Sequence, residues 1–213
     1  MTAASLEIRD LGRLDYQAAW QFQQQLSQAR ATGDITDTLL LLEHPHTFTL
    51  GRSGKWAHLL IDQETLKARQ IALYEVDRGG DITYHGPGQL VGYPILDLAA
   101  YQLDYHAYLR QLEAVLIETL AHFNQPAFRE PGYTGVWVPS SEAGPIRSAK
   151  IAAIGVKVDS AGITSHGFAI NLNTDLRYFD IIIPCGIRHC RTTSLAYEQS
   201  QVVELPAFKK VCR

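Results

Sequence analysis

One cysteine of this chain stands where a nucleophile could be displayed. Cys185 ends the apolar run FDIIIPCGI at residues 179–187, between a proline and a glycine. That pair favours a tight turn, which would hold the thiol beside free backbone N–H groups. A buried core cysteine is the alternative, because burial is the commonest fate of a free thiol. Cys190 and Cys212 lack this setting and are interpreted as structural.

A lysine precedes the apolar run KIAAIG in a second segment, residues 148–173. The segment predicts a β-hairpin with Lys150 at its entry and a turn at residues 159–162. The Lys150 ammonium would then be partly desolvated, although an ordinary solvated lysine at a strand end is the alternative. His166 and Gly167 lie in the middle of the second strand, where a glycine often marks the close approach of a ligand or of another backbone.

The third segment, RGGDITYHGPGQLVGY at residues 78–93, is rich in glycine. Its first part, residues 78–88, is predicted to be irregular backbone. Paired glycines let a backbone approach a ligand closely and aim its N–H groups at an acceptor. Arg78 and His85 add polar side chains beside that backbone. A structural turn with a hydrogen-bonded histidine is the alternative.

Together the three segments suggest one kind of chemistry. A thiol attacks only as the thiolate, the minor form of a free thiol at neutral pH, and a nearby ammonium such as that of Lys150 would favour this form. Amides of the glycine-rich segment could then stabilise an oxyanion. The combination predicts acyl transfer through a thioester on Cys185.

The elements that must position these residues indicate a mixed sheet flanked by helices, in the α/β or α+β class, because no regular βαβ repeat is present. Asp15 and Asp104 are predicted to cap two helices, and Gly33 follows the end of the first. The predicted helices cover residues 16–29, 62–69 and 104–123, and the predicted strands cover 6–9, 38–43, 71–76, 89–98, 135–138, 151–158 and 164–171. Residues 44–55 are predicted as a loop and 142–147 as an exposed turn. The chain after Leu172 is a candidate for a small C-terminal subdomain.

Length and composition exclude several classes of protein. The 213 residues, 46% hydrophobic and 19% charged, are enough for one well-buried core, so we expect a single domain over residues 1–213. A net charge of −3 argues against a strongly basic nucleic-acid-binding protein. No apolar run is long enough to span a membrane, and the N-terminus does not have the pattern of a signal peptide. Three cysteines without a CxxC pair suggest free thiols in a reducing, cytoplasmic compartment and no structural zinc.

Four ordered segments also resemble a known family. Residues 78–93 resemble the signature loop of the octanoyltransferases, also called lipoate-protein ligase B. KIAAIG and SHGFAINLN resemble the lysine strand of that family and the strand after it, and PCGI resembles its catalytic cysteine turn. The upstream stretch LLEHPHTFTLGRSGKWAHLL is similar as well. The resemblance implies the α/β fold shared by biotin and lipoate ligases.

The resemblance further implies specific roles and partners. Cys185 should carry the acyl thioester, and Lys150 should keep its thiol ionised. The donor should be octanoyl-acyl carrier protein. The acceptor should be a lysine of a lipoyl domain, such as the glycine-cleavage H protein or a 2-oxoacid dehydrogenase acyltransferase subunit, with sulfur insertion left to a separate enzyme. No cofactor, metal, nucleic acid or membrane is expected. The residues implied to bind substrate are Arg78, Gly79, Gly80, Asp81, Ile82, Thr83, Tyr84, His85, Ala153, Ile154, Gly155, Gly167, Phe168 and Ala169.

Basic residues beside the motifs are candidates for docking the donor. Acyl carrier proteins are acidic, as the family's chemistry implies, so a basic rim near the pocket should steer them towards it. Ordinary solvated charges are the alternative. The candidates are Arg52, Lys55, Arg147, Arg188 and Arg191.

Three other functions remain compatible with the same residues. An ATP-dependent lipoate or biotin ligase would have a related fold. Its most suggestive segment, GRSGKW at residues 51–56, is not a P-loop, because it lacks the GxxxxGK(S/T) spacing and has Trp56 in place of the hydroxyl residue that would hold magnesium. A cysteine hydrolase with His85 as its base would form the same acyl thioester, but water rather than an amine would then attack it. A non-catalytic acyl-binding module is the third.

Overall fold

The computed structural model describes residues 5–140, 148–187 and 191–212. The predicted exposed turn at 142–147 lies outside the described residues, as do Arg147, Arg188 and Cys190. Five α-helices are α1 Tyr16–Thr32, α2 Gln63–Ala68, α3 Tyr105–His122, α4 Leu195–Gln199 and α5 Leu205–Val211 in these ranges. The strands of the same ranges are β1 Leu6–Arg13, β2 Asp37–Glu43, β3 Thr47–Leu50, β4 Ala72–Glu75, β5 Ile82–His85, β6 Gln89–Ile95, β7 Val136–Pro139, β8 Ser148–Val158, β9 Thr164–Asn171 and β10 Arg191–Thr192.

The strands form two sheets, which confirms the predicted mixed sheet flanked by helices. The larger, seven-stranded sheet has the order β1-β2-β6-β9-β8-β10, with β7 also paired to β8. Strands β1 and β2 pair in parallel, whereas β2, β6, β9 and β8 alternate in direction. The smaller sheet has the order β4-β3-β5. It brings the glycine-rich segment next to the loop that precedes α2.

Helix ends follow the capping signals of the sequence. The side chain of Asp15 accepts hydrogen bonds from two amides at the start of α1, and Asp104 accepts one from Ala107 N at the start of α3. Gly33 closes α1 in the left-handed region, with φ of 81°. These positions confirm the predicted caps, because each satisfies amides or carbonyls that a helix end leaves without partners.

The core lies on both faces of the larger sheet. Leu112, Leu116 and Leu120 of α3 are buried against Ile151 and Ile170 on one face. The apolar positions predicted along α3 therefore form the buried face of that helix. The other face is covered by α1, which packs Ala19 and Leu26 beside Leu40, Leu42 and Tyr93.

The C-terminal part of the chain packs into these cores. Leu195 of α4 and Phe208 of α5 are fully buried in the α3 cluster. Phe179 and Ile182 pack beneath the smaller sheet with Phe48. The prediction of a small C-terminal subdomain is therefore wrong, because the apolar side chains after Leu172 complete the same cores.

Two predicted loops contain strands. Residues 44–55 include β3, and residues 78–88 include β5, each only four residues long. These strands pair with each other in antiparallel register, Phe48 opposite Tyr84. Because glycines and prolines flank both, the local sequence favours turns, and only the long-range pairing makes the strands form. No helix in the described ranges has the length and apolar character needed to cross a bilayer.

Candidate active site

The Cys185 turn is a single short turn of 3₁₀ helix, Pro184–Gly186. Cys185 itself has φ of 54°, in the left-handed region that non-glycine residues rarely adopt. Gly186 N donates to Ile183 O over 3.1 Å and Ile187 N donates to Pro184 O over 3.0 Å. The sequence suggested that backbone amides beside the thiol would be free, but these two amides are used in hydrogen bonds within the turn. The turn holds the half-buried thiol in a strained backbone, an arrangement typical of functional sites.

Lys150 approaches this thiol from the start of β8, which forms the predicted hairpin with β9. Its backbone lies within β8, paired with Trp137 of β7. The side chain is 6% exposed, and its Nζ lies 3.5 Å from Cys185 Sγ. The ammonium also sits over the Trp137 ring, 5.1 Å from its centre. A Cβ on Gly135 would lie 2.8 Å from Lys150 Cε, so a glycine at this position leaves room for the lysine.

Within the described part of the chain, the Lys150 ammonium has no carboxylate partner at ion-pair distance, and the only hydrogen-bond partner of Nζ is the sulfur. Glu113 of α3, the fully buried carboxylate of this region, is bound instead by Arg110 and Arg129 at 2.6 and 3.0 Å. Burying a cation is costly unless an opposite charge accompanies it. A thiolate at Cys185 would supply that charge.

Hydrogen bonds from Arg78 hold the glycine-rich segment against the smaller sheet. Its guanidinium donates to Thr49 O at 2.7 Å, to Thr49 Oγ1 at 2.8 Å and to Asp81 O at 2.8 Å. Burial lowers the pKa of Arg78 from its ordinary value. Gly79 N donates to Val156 O of β8, so its amide is engaged as well. A Cβ on Gly155 would lie 2.9 Å from Gly79 O, and the absence of that Cβ lets the segment lie on the larger sheet.

Asp81 connects this segment to the Cys185 turn. Its Oδ1 accepts from Ile82 N at 2.6 Å and from Lys55 N at 3.1 Å, and its Oδ2 binds His58 Nδ1 at 2.5 Å. A Cβ on Gly186 would lie 2.9 Å from the same Oδ2. The carboxylate therefore holds β5 to the loop before α2, and Gly186 of the Cys185 turn packs closely against it.

His85 is held as a neutral side chain. Its Nδ1 lies 2.8 Å from Gln89 Oε1, and its Nε2 lies 3.4 Å from Thr49 Oγ1. Gln89 Nε2 donates to Tyr84 O and Asn171 Oδ1, so Oε1 accepts and His85 Nδ1 carries the hydrogen. Burial places the pKa of His85 well below its ordinary value. With both nitrogens engaged, His85 is poorly placed to be the base that a cysteine hydrolase would need.

A cleft begins at Cys185 and runs over β8 and β9, and we call it the Cys185 cleft. It contains about 470 Å³ of empty space, part of it continuous with open solvent. Paired residues of the two strands form its floor, first Ala153 with Ala169 and then Gly155 with Gly167. The floor is apolar, as an acyl chain requires.

The comparisons with known proteins identify the family. The chain matches the model of the lipoyl protein ligase A/B catalytic domain over residues 15–213. A curated octanoyltransferase of Cytophaga hutchinsonii is 47% identical, covering 98% of this chain and 89% of its own length. Those of Solibacter usitatus and Chloroflexus aurantiacus are 51% and 46% identical, covering 84% and 97% of this chain and 78% and 89% of their own lengths. The chain belongs to the octanoyltransferase family. This confirms the resemblance found in its four motifs.

Solved structures place the octanoyltransferase chain in the predicted ligase-like fold. The bipartite lipoate protein ligase of Thermoplasma acidophilum superposes with a TM-score of 0.67 at 18% identity, covering 98% of this chain and 81% of its own. Lipoate-protein ligase A bound with ATP has a TM-score of 0.65 at 14% identity, with 98% and 82% covered. The biotin protein ligase of Aquifex aeolicus has a TM-score of 0.53 at 13% identity, with 97% and 64% covered. At these identities the likeness concerns the fold alone.

Most residues that the family resemblance suggested for substrate binding line the Cys185 cleft of this octanoyltransferase. Ile82 and Tyr84 do not, because alternate side chains of β5 point away from the cleft and pack with Phe48 beneath the smaller sheet. The residues brought together at the cleft are Arg78, Gly79, Gly80, Asp81, Thr83, His85, Ala153, Ile154, Gly155, Gly167, Phe168 and Ala169, with Cys185 at one end.

Three further lining residues were absent from the predicted set: Tyr16, Tyr93 and His166. Tyr93 stands in the signature segment and His166 was noted beside Gly167, but Tyr16 comes from the start of α1, far away in sequence. The sequence carries no local signal for Tyr16, because its place at the cleft depends on how α1 packs across the sheet.

Proposed function

We propose that this chain transfers an octanoyl group through a thioester on Cys185 to a lysine of a lipoyl domain. The observation that carries the proposal is the placement of the Lys150 ammonium 3.5 Å from Cys185 Sγ at the head of an apolar cleft. The names of its relatives support octanoyl as the acyl group. The cleft would hold the chain of the octanoyl group, and the thiol would hold its carbonyl end.

In the first half-reaction, the Cys185 thiolate attacks the carbonyl carbon of an octanoyl thioester. The sulfur–carbon bond to the donor breaks, and the departing thiolate takes the proton of the Lys150 ammonium. The products are octanoyl-Cys185, a free donor thiol and a neutral Lys150 amine. Lys150 is positioned for this transfer because its Nζ lies 3.5 Å from the reacting sulfur.

In the second half-reaction, the amine of the acceptor lysine attacks the Cys185 thioester. The neutral Lys150 amine accepts the proton that the attacking nitrogen loses. An amide forms, the Cys185 thiolate leaves, and the ammonium beside it is restored. The same lysine therefore serves as acid in one half-reaction and as base in the other, while its charge stabilises the resting thiolate.

The donor is proposed to be octanoyl-acyl carrier protein, met in the cytoplasm and guided by positive charge. Arg52 and Lys55 are exposed on the loop that borders the cleft, since Arg52 N donates to Arg78 O and Lys55 N donates to Asp81. Arg191 is a weaker candidate, because it donates to Ser140 Oγ at 2.8 Å and lies over the Tyr197 ring. Charge reversal of Arg52 and Lys55 should therefore slow the carrier-bound donor, more at low salt than at high salt.

A small octanoyl thioester without the carrier is the control for that experiment. Its rate should stay within about twofold of wild type, because rim charges act on encounter rather than on chemistry. Equal losses with both donors would show that the two residues support the cleft or the fold, and would contradict the docking role.

Intact mass spectrometry tests the proposed function as a whole. After mixing with octanoyl-acyl carrier protein, the protein should gain one octanoyl group on Cys185, and a lipoyl domain added next should remove it and gain the same mass. Cys185→Ala should form no adduct, whereas Cys212→Ala should behave as wild type, because Cys212 is buried and its pKa is raised to about 11 by that burial.

The same experiment separates the alternatives. A thioester hydrolase would release octanoic acid without modifying the lipoyl domain. A ligase would need ATP and free octanoate, and would keep most of its activity in Cys185→Ser. Normal transfer by Cys185→Ala would contradict the proposed mechanism.

A further inference from the structure

A second space lies behind the Cys185 cleft. The cleft ends at His166, together with Tyr16 and Tyr93. A surface groove, which we call the α1 groove, is lined by Trp20, Gln23 and Asp77 together with other residues of α1 and of the β8–β9 turn. No lining residue is common to the two spaces. His166 lies between them, because it lines the cleft and is bonded to two residues that line the groove.

Those two bonds hold the His166 side chain and backbone from the groove side. His166 Nε2 lies 2.8 Å from Asp77 Oδ1, and Lys157 Nζ holds the other oxygen of that carboxylate at 2.6 Å. His166 N donates to Gln23 Oε1 at 2.8 Å. The imidazole is 1% exposed. His166, fixed by a carboxylate and an amide, thus stands with Tyr16 and Tyr93 at the far end of the cleft.

This position is maintained against two unfavourable features. His166 has φ of 56° inside strand β9, a conformation that suits glycine better than histidine. In the described residues, its Nδ1 and the neighbouring Gln23 Nε2 are buried without a hydrogen-bond partner. Strained backbone and unsatisfied buried polar atoms persist mainly where function requires them.

We infer that His166 is the end wall of the acyl cleft and limits the length of acyl chain that the protein accepts. The inference rests on the proposed function, because it takes the cleft as the acyl site. His166 pairs with Val156 of β8, and Ala153 is the floor residue of β8 beside Cys185. Val156 lies three residues beyond Ala153 along that strand. That separation is about 10 Å at roughly 3.3 Å per residue, which suits a medium-length chain. Removal of the imidazole would join the cleft to the α1 groove and admit longer chains.

The test uses free fatty acids, so that it does not depend on catalysis. Octanoate, decanoate and dodecanoate are titrated into the wild-type protein and into His166→Gly by calorimetry. Glycine suits the positive φ, so this variant removes the wall while favouring the observed backbone. His166→Asn is a second variant, because asparagine also tolerates this region and is shorter than histidine. Asn124→Gly is the matched control, since Asn124 has the same φ of 56° at the end of α3, outside the residues that line the cleft.

The affinity of the wild-type protein for fatty acids should rise with chain length only until the chain fills the cleft. In His166→Gly it should continue to rise, by roughly fourfold for each added methylene that becomes buried. Octanoate should bind both proteins within a few fold, and Asn124→Gly should keep the wild-type preference. An unchanged length preference in folded His166→Gly and His166→Asn would overturn the inference, as would an absence of fatty-acid binding by the wild-type protein.

Failure of the proposed function would look different. If fatty acids bind with the expected preferences but octanoyl-acyl carrier protein leaves no adduct on Cys185, the cleft holds acyl chains and its wall is His166, while the transfer mechanism is wrong.

Discussion

Replacement of Lys150 by methionine tests the central interaction of the site. Methionine keeps much of the length and the apolar stem of lysine, so contacts with Trp137 and with the space beside Gly135 are largely retained. What is lost is the positive charge 3.5 Å from Cys185 Sγ. Cys185 should then react more slowly as a nucleophile at neutral pH, because its thiolate loses the stabilising charge.

The size of this effect follows from the distance. Opposite unit charges at 3.5 Å attract by about 4–5 kcal/mol at an effective dielectric constant of about 20. Solvent reaches the half-buried Cys185 and screens part of this attraction. We therefore expect the Cys185 thiolate to lose about 1.5–3 kcal/mol of stabilisation in Lys150→Met. This loss corresponds to alkylation slower by roughly tenfold to a hundredfold at neutral pH.

The assay is the rate of iodoacetamide alkylation of Cys185, read by peptide mass spectrometry across neutral and alkaline pH. The profile of Lys150→Met should move to higher pH. Lys157→Met is the matched control, because Lys157 lies on the same strand but its Nζ pairs with Asp77 at 2.6 Å. Lys150→Arg should recover part of the reactivity through its charge. Wild-type rates and an unchanged profile in a folded Lys150→Met protein would refute the role assigned to this charge.

Two further predictions concern stability. Gly135→Ala should lower the free energy of unfolding, measured in urea, by about 1–3 kcal/mol and should reduce activity, because φ is 121° and the new Cβ would lie 2.8 Å from Lys150 Cε. Gly132→Ala is the control and should destabilise the protein less, because Gly132 has φ of 84° and no atom within 4 Å of the new Cβ. Equal losses of stability in the two variants would contradict the packing argument. The protein should also lose stability as pH falls from about 6 to 4. Burial lowers the pKa of the three most buried histidines of the described residues, to about 4 for His44 and below the ordinary value for His85 and His166. The unfolded chain therefore binds more protons than the folded one in this range. The slope should reach about 1.4 kcal/mol per pH unit for each histidine, measured by urea unfolding at several pH values, and a flat profile would contradict the burial of neutral histidines.

Local signals in the sequence were sufficient for the long elements. Helices α1 and α3 have an aspartate cap at their first turn, and the leucines of α3 recur at helical spacing and point into the core. Strand β9 was predicted with the bounds that the structure has, residues 164–171. Such features depend on neighbours a few residues away, which a single sequence displays.

The short strands β3 and β5 could not be predicted in the same way. Each is four residues long and flanked by turn-forming residues, so its local preference is weak. Their pairing across about thirty residues of chain decides the conformation, as tertiary contacts often do for strands. That pairing turns Ile82 and Tyr84 away from the cleft while Thr83 and His85 face it.

The sequence by itself predicted acyl transfer on a cysteine and indicated the family. The features were a cysteine between a proline and a glycine, a lysine before an apolar strand and a glycine-rich segment, which together resemble the octanoyltransferases, and the comparisons confirmed that family. Only the tertiary structure decided that Lys150 is buried without a carboxylate in the described part of the chain, that His85 is neutral and engaged, and that His166 ends the cleft. The reason is physical. Residue types fix which charges and bonds are available, whereas burial and partners from distant segments fix which of them face the reacting atoms.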